Sequence, residues 1–73
     1  MSPEKLAYMA NQIGRFFATQ TRADVVDGIA DHLVKFWDPR MRATLLAHLD
    51  DPAITLDPPV RAAAQRLRAA PPA

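Results

Sequence analysis

The sequence contains no cysteine and only two glycines among its 73 residues. Without thiols the chain forms no disulfide, and it cannot supply the thiolates that ligate iron–sulfur clusters. His32 and His48 are the only histidines, too few to build a zinc site by themselves. No phosphate-cradling glycine loop, nucleophile elbow or catalytic dyad is present. We therefore expect no bound metal or flavin and no independent catalytic activity.

Long hydrophobic runs and a clear excess of one charge are also missing. The apolar runs are a few residues long, whereas a membrane-spanning helix needs about 20. The segment Met1–Lys5 lacks the charged region and apolar core of a signal peptide, so we expect a cytoplasmic protein that does not enter a membrane. Nine basic and eight acidic residues give a formal charge of +1. Because DNA and RNA are bound largely through phosphate neutralisation, this balance argues against a nucleic-acid partner.

The length predicts a single helical domain over residues 1–73. A domain this small buries only about 60% of the surface of its unfolded chain, and its stability rarely exceeds roughly 3–5 kcal/mol. Disulfides and thiolate metal sites would normally reinforce such a domain. In their absence, the reinforcement that remains available is another protein chain.

Four segments show the helical spacing of apolar residues, and no segment shows the alternation of a strand. Three of them begin with Ser or Asp followed by Pro, which is typical of a helix start, and the remaining one begins at Thr21–Asp24, which resembles a capping box. The fold prediction is an all-α small bundle of three main helices plus a weaker fourth, with the first packed against the second. The predicted boundaries are Pro3–Thr19, Arg22–Trp37, Pro39–Leu49 and a helix from Pro58, followed by a frayed tail over 70–73.

The second helix has an unusually wide apolar face. Its polar stripe contains Asp24, Asp27, Asp31 and Lys35, and apolar residues fill an arc of about 200°, against the ~100° that a surface helix needs. We interpret the aspartates as a solvated stripe, because they lack the spacing of a calcium loop. The wide arc predicts more than one neighbouring surface.

The segment Phe36–Arg42 is the strongest candidate for a docking site. Aromatic residues and Arg dominate binding energy at protein interfaces. Of Phe36 and Trp37, we expect one to close the core and the other to anchor a partner. Arg42 lies within the apolar arc of the third helix, and two explanations stay open. It either extends to solvent and pairs with Asp38, or it binds a carboxylate or carbonyl of a partner.

Small residues and histidines have two interpretations each. Ala10, Gly14 and Ala18 place one small residue on each turn, which predicts close approach by another helix; the alternative is a tolerated surface stripe. His32, at the rim of the apolar arc, is predicted to pack with its polar tip exposed, or else to hydrogen-bond a partner directly.

Two motifs resemble a known family. The first is Met9–Gly14 (MANQIG) followed by Phe16 and Phe17. The second is His32–Leu33 leading into Lys35–Arg42 (KFWDPRMR). Both are similar to the delta subunit of NAD-dependent, molybdenum-containing formate dehydrogenase, over about residues 5 to 67.

The resemblance implies a non-catalytic subunit that stabilises a soluble complex or assists its assembly. In that family the alpha subunit oxidises formate and carries bis-molybdopterin guanine dinucleotide and iron–sulfur clusters. Beta and gamma subunits pass the electrons through FMN and iron–sulfur centres to NAD⁺. The delta chain is expected to have no cofactor and to bind the alpha subunit, and through it beta and gamma.

The residues alone indicate a small helical interaction module, and two other classes stay open. A helix-turn-helix DNA-binding protein fits the size, although the third helix offers only Arg40 and Arg42 near its start. A homodimeric regulator would use the wide apolar arc on itself. No catalytic, cofactor or metal residue is predicted. The predicted partner-binding residues are Phe16, Phe17, His32, Phe36, Trp37, Asp38, Pro39, Arg40, Met41 and Arg42.

Overall fold

The computed structural model describes residues 2–19 and 24–71, and this part of the chain is all-α. Its four helices are α1 (Pro3–Ala18), α2 (Val25–Phe36), α3 (Pro39–Ala47) and α4 (Pro58–Ala69). The predicted fold class is confirmed, and the described residues include no strand. Within the same residues, no helix combines the length and the apolar character that crossing a membrane requires.

Three helices begin where the Ser-Pro and Asp-Pro pairs predict. Ser2 Oγ accepts a hydrogen bond from the Lys5 amide at 3.2 Å, and Asp38 Oδ1 accepts from the amides of Arg40 and Met41 at 2.8 and 3.0 Å. Helix α4 follows Asp57, whose side chain makes no capping hydrogen bond. Proline lacks the amide N–H, which at the first helical position would have no partner within the helix. Proline is therefore favoured there, and a Ser-Pro or Asp-Pro pair predicts a helix start.

The predicted start of the second helix at Arg22 is wrong. Asp24 has an extended backbone and is itself the N-cap, so the helix begins at Val25. The predicted cap Thr21 lies outside the described residues. The Asp27 amide donates to Asp24 Oδ1 at 2.9 Å. This backbone hydrogen bond, with a smaller contribution from the charge of Arg66, holds the pKa of the Asp24 carboxyl below its usual range.

The first three helices end one or two residues before their predicted ends. Helix α1 ends at Ala18 with Thr19 as its C-cap, and α3 ends at Ala47, before the predicted Leu49. The His48 amide donates to the Leu45 carbonyl at 3.1 Å, so the last turn of α3 tightens to i→i−3 bonding. In the predicted tail, Ala70 caps α4; Pro72 and Ala73 lie outside the described residues.

The core is made by all four helices and by the loop between α3 and α4. Helix α1 packs against α2 as predicted, but the most extensive contact joins α2 to α4. Small side chains at Ala63 and Ala64, both fully buried, let α4 approach closely. The lower stability of α4 stays a prediction, although its packing makes it a full member of the core. Its buried residues are Val60, Ala63, Ala64 and Leu67.

Gly14 confirms the predicted close approach within the chain. A Cβ at this position would overlap Val60 Cγ2 and would lie 3.5 Å from Ile29 Cδ1. Because Val60 and Ile29 are both completely buried, neither has room to move away. Glycine is therefore required where α1 meets α2 and α4. Ala18, the last member of the small-residue line, is exposed.

Asn11 joins α1 to the loop that precedes α4. Its Nδ2 donates to the Thr55 carbonyl at 3.0 Å, and its Oδ1 accepts from the Asp57 amide at 2.9 Å. Both backbone partners are more than forty residues away in the sequence. The loop is thereby fixed beside α1, with Ile54 and Leu56 buried in the core.

Candidate interaction surface

An open apolar groove of about 420 Å³ runs between α1 and the C-terminal half of α2. Five of its residues come from one face of α1, and most of them are three or four residues apart. Among the residues that the structure describes, no Asp or Glu lines it. We call this surface the groove, and its lining residues are Met9, Gln12, Ile13, Phe16, Phe17, His32 and Trp37.

Four rings form a row along one side of the groove. The ring centroids of Phe16 and Phe17 are 5.4 Å apart, those of Phe17 and His32 are 6.2 Å apart, and those of His32 and Phe36 are 4.8 Å apart. The first two contacts are edge-to-face, the geometry that aromatic quadrupoles favour. We call these four residues the aromatic row. It brings together residues that the sequence predicted separately on α1 and α2.

Gly28 allows the two halves of the aromatic row to meet. A Cβ at this position would lie 2.8 Å from Phe17 Cδ1 and 3.0 Å from Phe17 Cε1. The ring of Phe17 therefore rests directly on the backbone of α2, one turn before His32. This glycine was not singled out from the sequence, because its partner lies on another helix.

Phe36 and Trp37 differ in burial: one closes the core, as predicted, and the anchoring role of the other stays a prediction. Trp37 is 6% exposed and belongs to the hydrophobic core, whereas Phe36 is 73% exposed. Phe16, at the other end of the aromatic row, is 60% exposed. Two large apolar rings thus remain in solvent beside an apolar groove, and an exposed apolar patch of this kind is typical of an interaction site.

The remaining predicted residues of the corner are arranged around the start of α3. Asp38 is the N-cap, Pro39 occupies the first helical position, and Met41 is half-buried against the core. Arg40 is exposed, and within the described residues its side chain forms no hydrogen bond or ion pair. Of these four, Arg40 offers an exposed charged group that has no partner within the described residues.

Arg42 differs from both explanations that the sequence left open. Its Nη1 donates to the carbonyls of Leu33 and Val34, each at 3.1 Å, and of Trp37 at 2.8 Å. These are carbonyls at the end of α2, which have no partner within the helix. The guanidinium therefore caps α2 from α3 and also opposes the negative end of the helix dipole. The structure thus shows neither the predicted pairing with Asp38 nor a guanidinium that is directed at a partner. Arg42 binds carbonyls of its own chain instead.

The other candidate polar residues also have internal partners. His32 is half-buried between two phenyl rings, as predicted, and His48 Nδ1 lies 2.8 Å from the Thr44 carbonyl. The polar stripe of α2 is exposed, with Asp31 paired to Lys35 at 3.0 Å and Asp27 paired to Arg66. Among the residues that the structure describes, no three His, Cys, Asp or Glu side chains come together as a metal ion would need.

The arginines of α4 are engaged inside the chain too. Arg61 Nη1 donates to the Leu49 carbonyl at 2.8 Å, and Arg68 pairs with Asp50 at 3.1 Å. With Arg66 paired to Asp27, each described arginine of this helix bridges to another part of the fold. The helix is thus anchored by its charges as well as by its apolar side chains.

Sequence reasoning missed three residues of the groove: Met9, Gln12 and Ile13. Met9 and Ile13 share the 3.6-residue period of the core face, and both are half-buried. Gln12 is polar and exposed, so its side chain gives no such signal. The available signal was the width of the apolar arc on α1. This helix carries more apolar residues than its contact with the core uses, and the remaining ones line the groove.

The structure defines the class of the protein as a small all-α bundle with an open, aromatic-edged groove. A family model described as NADH-dependant formate dehydrogenase delta subunit FdsD matches residues 5–64. The chain belongs to this family of formate dehydrogenase delta subunits. The match covers both sequence motifs and therefore the groove and the first turns of α3. Comparisons with curated proteins and with solved structures find no significant match.

Proposed function

We propose that this chain is a non-catalytic subunit that docks on the alpha subunit of an NAD-dependent formate dehydrogenase. There it stabilises the complex or assists its assembly. The observation that carries the proposal is the exposure of Phe16 and Phe36 beside the groove, in a chain whose family is that of the delta subunit. A domain with so small a core gains from covering these rings with a second protein.

The proposal places every cofactor of the complex on other subunits. Bis-molybdopterin guanine dinucleotide and iron–sulfur clusters would belong to alpha, with FMN and further clusters on beta and gamma. The sequence supports this division, because a chain without cysteine has no thiolate for iron–sulfur ligation.

The observations favour this partner over nucleic acid. A DNA-reading α3 would need several free basic side chains on one face. Arg42 is instead committed to the carbonyls of α2, which leaves Arg40 as the one arginine of α3 available to a phosphate. A homodimer would use the same groove, and the experiment below separates it from the proposed complex.

The test is co-purification of tagged variants of this chain with the formate dehydrogenase subunits. Phe36→Ala and Phe16→Ala remove exposed rings of the aromatic row, and we expect each to weaken association by about 2 kcal/mol, roughly thirtyfold. Tyr8→Ala is the matched control. Tyr8 is also an exposed aromatic residue of α1, at 61%, but it lies outside the groove.

Circular dichroism should show that all three variants keep the helical content of the parent chain, since none of these rings belongs to the core. Full association of both Phe variants would refute the proposed surface. A parent chain that sediments as a dimer and retains no other subunit would favour the homodimeric regulator instead.

A further inference from the structure

The walls of the groove restrict the backbone of whatever binds there. Both walls are α-helices, α1 and α2, whose backbone donors and acceptors are already used inside each helix. An extended peptide buried against them would leave its own N–H and C=O groups without partners, which costs free energy for each group. A helix satisfies its backbone internally, and helix-in-groove binding uses apolar side chains at regular spacing. The groove therefore favours a helical occupant.

The dimensions of the groove indicate how long that contact is. Its α1 wall extends from Met9 to Phe17, which at about 1.5 Å per residue corresponds to roughly 12 Å, or about two helical turns. An occupant helix would place apolar side chains at positions i, i+3 or i+4, and i+7 along this length. Met9 and the ring of Phe16 would cover them from either end.

The charges around the groove are unequal. Lys5 lies one helical turn before Met9 on the same face of α1. Arg40 follows Trp37 by three residues and lines a depression between α1 and α3 with Leu6 and Asp38, whose carboxylate accepts hydrogen bonds from the amides of Arg40 and Met41. Within residues 2–19 and 24–71, neither Lys5 nor Arg40 forms an ion pair, whereas most other basic side chains there have acidic partners. At the end of the groove near Trp37, these two cations are thus without an ion-pair partner in the described residues, and the acidic side chain beside Arg40, that of Asp38, is engaged as the N-cap of α3.

We propose that the groove receives an amphipathic α-helix of the alpha subunit, about two turns of which are buried, with an acidic residue at the end facing Lys5 and Arg40. The inference rests on the proposed function, since it takes the alpha subunit as the partner and adds the form and charge of the bound segment. A second copy of the chain is disfavoured, because it would bring another groove with the same cations and no acidic lining residue to pair with them.

The first test is photocrosslinking in the assembled complex. A benzophenone amino acid replaces Gln12, which lines the groove; the matched control replaces Gln65, an exposed amide on α4 outside it. We expect position 12, and not position 65, to crosslink to one alpha-subunit segment. That segment should carry apolar residues at i, i+3 or i+4, and i+7, and an acidic residue at one end.

The outcomes separate this inference from the proposed function. If neither the parent chain nor any of its variants co-purifies with the alpha subunit, the proposed function fails. If it co-purifies but position 12 crosslinks to nothing, to another copy of the chain or to a segment without this pattern, the groove inference alone is overturned.

The second test uses a synthetic peptide of the crosslinked alpha segment and the full-length chain. Trp37 is the only tryptophan and lies in the groove wall, so its fluorescence emission should shift as the peptide binds. Circular dichroism should show an increase in helix upon mixing. A peptide that binds without gaining helix contradicts the proposal.

Charge reversal tests the positive end of the groove. Lys5→Glu and Arg40→Glu should each weaken peptide binding about fivefold, and the loss should shrink at high salt, since exposed ion pairs contribute up to about 1 kcal/mol. Gln65→Glu, which adds a negative charge to an exposed position of α4 away from the groove, is the control and should leave the affinity unchanged. Equal affinities for all three variants would overturn the predicted acidic end.

Discussion

At the scale of single residues, polar side chains do more to hold this fold together than their number suggests. Arg42 reaches three carbonyls of α2, and Arg61 reaches the Leu49 carbonyl after α3. Each guanidinium donates to backbone carbonyls at or just after the end of a helix. The periodicity of the sequence does not predict these contacts. The composition, in which arginine outnumbers lysine, fits this use, because a planar guanidinium presents several donors in a fixed arrangement.

Replacement of Arg42 is expected to destabilise the isolated chain. Arg42→Ala leaves half-buried carbonyls of α2 without a donor, and loss of hydrogen bonds to a charged group costs about 2 kcal/mol. For a domain of this size the melting temperature should fall by roughly 10 °C. Thermal unfolding followed by circular dichroism measures the shift.

Arg40→Ala is the matched control, because this neighbouring arginine is exposed and has no side-chain partner in the described residues. It should change the free energy of unfolding by no more than about 0.5 kcal/mol. A melting temperature for Arg42→Ala equal to that of Arg40→Ala would contradict the capping role. Any loss of association by Arg42→Ala is therefore expected to reflect folding as well as the interface.

At the scale of elements, three of the four helix starts are predicted to the residue, whereas the ends of α1, α2 and α3 fall one or two residues before the predicted ones. Ser2-Pro3, Asp38-Pro39 and Asp57-Pro58 mark their starts locally, through a capping side chain and a restricted backbone. The ends depend on contacts elsewhere. Helix α3 stops at Ala47 where its last turn tightens, and Arg61 from α4 holds the carbonyl of Leu49 beyond it. No local pattern encodes a contact of that range.

The groove shows the same limit. Periodicity placed Phe16 and Phe17 on α1 and His32 and Phe36 on α2, and it identified both sets as interaction candidates. It could not show that Gly28 brings Phe17 onto α2, which is what joins the two sets into one row. It also assigned Asn11 to the polar face, although this side chain bonds to a loop across the molecule.

Asn11 gives the prediction at this scale. Asn11→Ala removes both hydrogen bonds to the loop before α4, and we expect a loss of about 1–2 kcal/mol in the free energy of unfolding. Asn11→Asp keeps an acceptor for the Asp57 amide but cannot donate to the Thr55 carbonyl, so it should also be destabilised. Urea unfolding measures both, with Gln65→Ala as an exposed amide control. Wild-type stability in Asn11→Ala would show that packing of Ile54 and Leu56 alone holds the loop.

At the scale of the whole molecule, the chain combines a small core with an uncovered apolar surface. Its radius of gyration is 11.2 Å, and all four helices and the loop share one hydrophobic cluster. Apart from Trp37, the buried residues are alanine, leucine, isoleucine and valine. Phe16 and Phe36 are exposed and lie outside this core. If the proposed partner covers the groove, it should therefore add to the stability of the fold.

This arrangement predicts that binding stabilises parts of the chain that the partner does not touch. A partner that binds only the folded chain, present at 100 times its dissociation constant, adds about 2.7 kcal/mol to the free energy of unfolding. The most protected amides, which exchange through global unfolding, should then exchange about a hundredfold more slowly. Hydrogen exchange of the chain in the complex and alone, followed by mass spectrometry, measures this change.

Helix α4 is the decisive element in that measurement, because it contributes no residue to the groove and yet shares the core with α2. If the domain unfolds as one unit, the amides around Val60 and Leu67 slow together with those of α1 and α2. If only the groove helices slow, the partner merely shields the amides that it covers, and α4 opens independently as a less stable helix. The Phe36→Ala variant, mixed with the same partner concentration, should lose most of the protection in α4, since weaker binding stabilises the folded chain less.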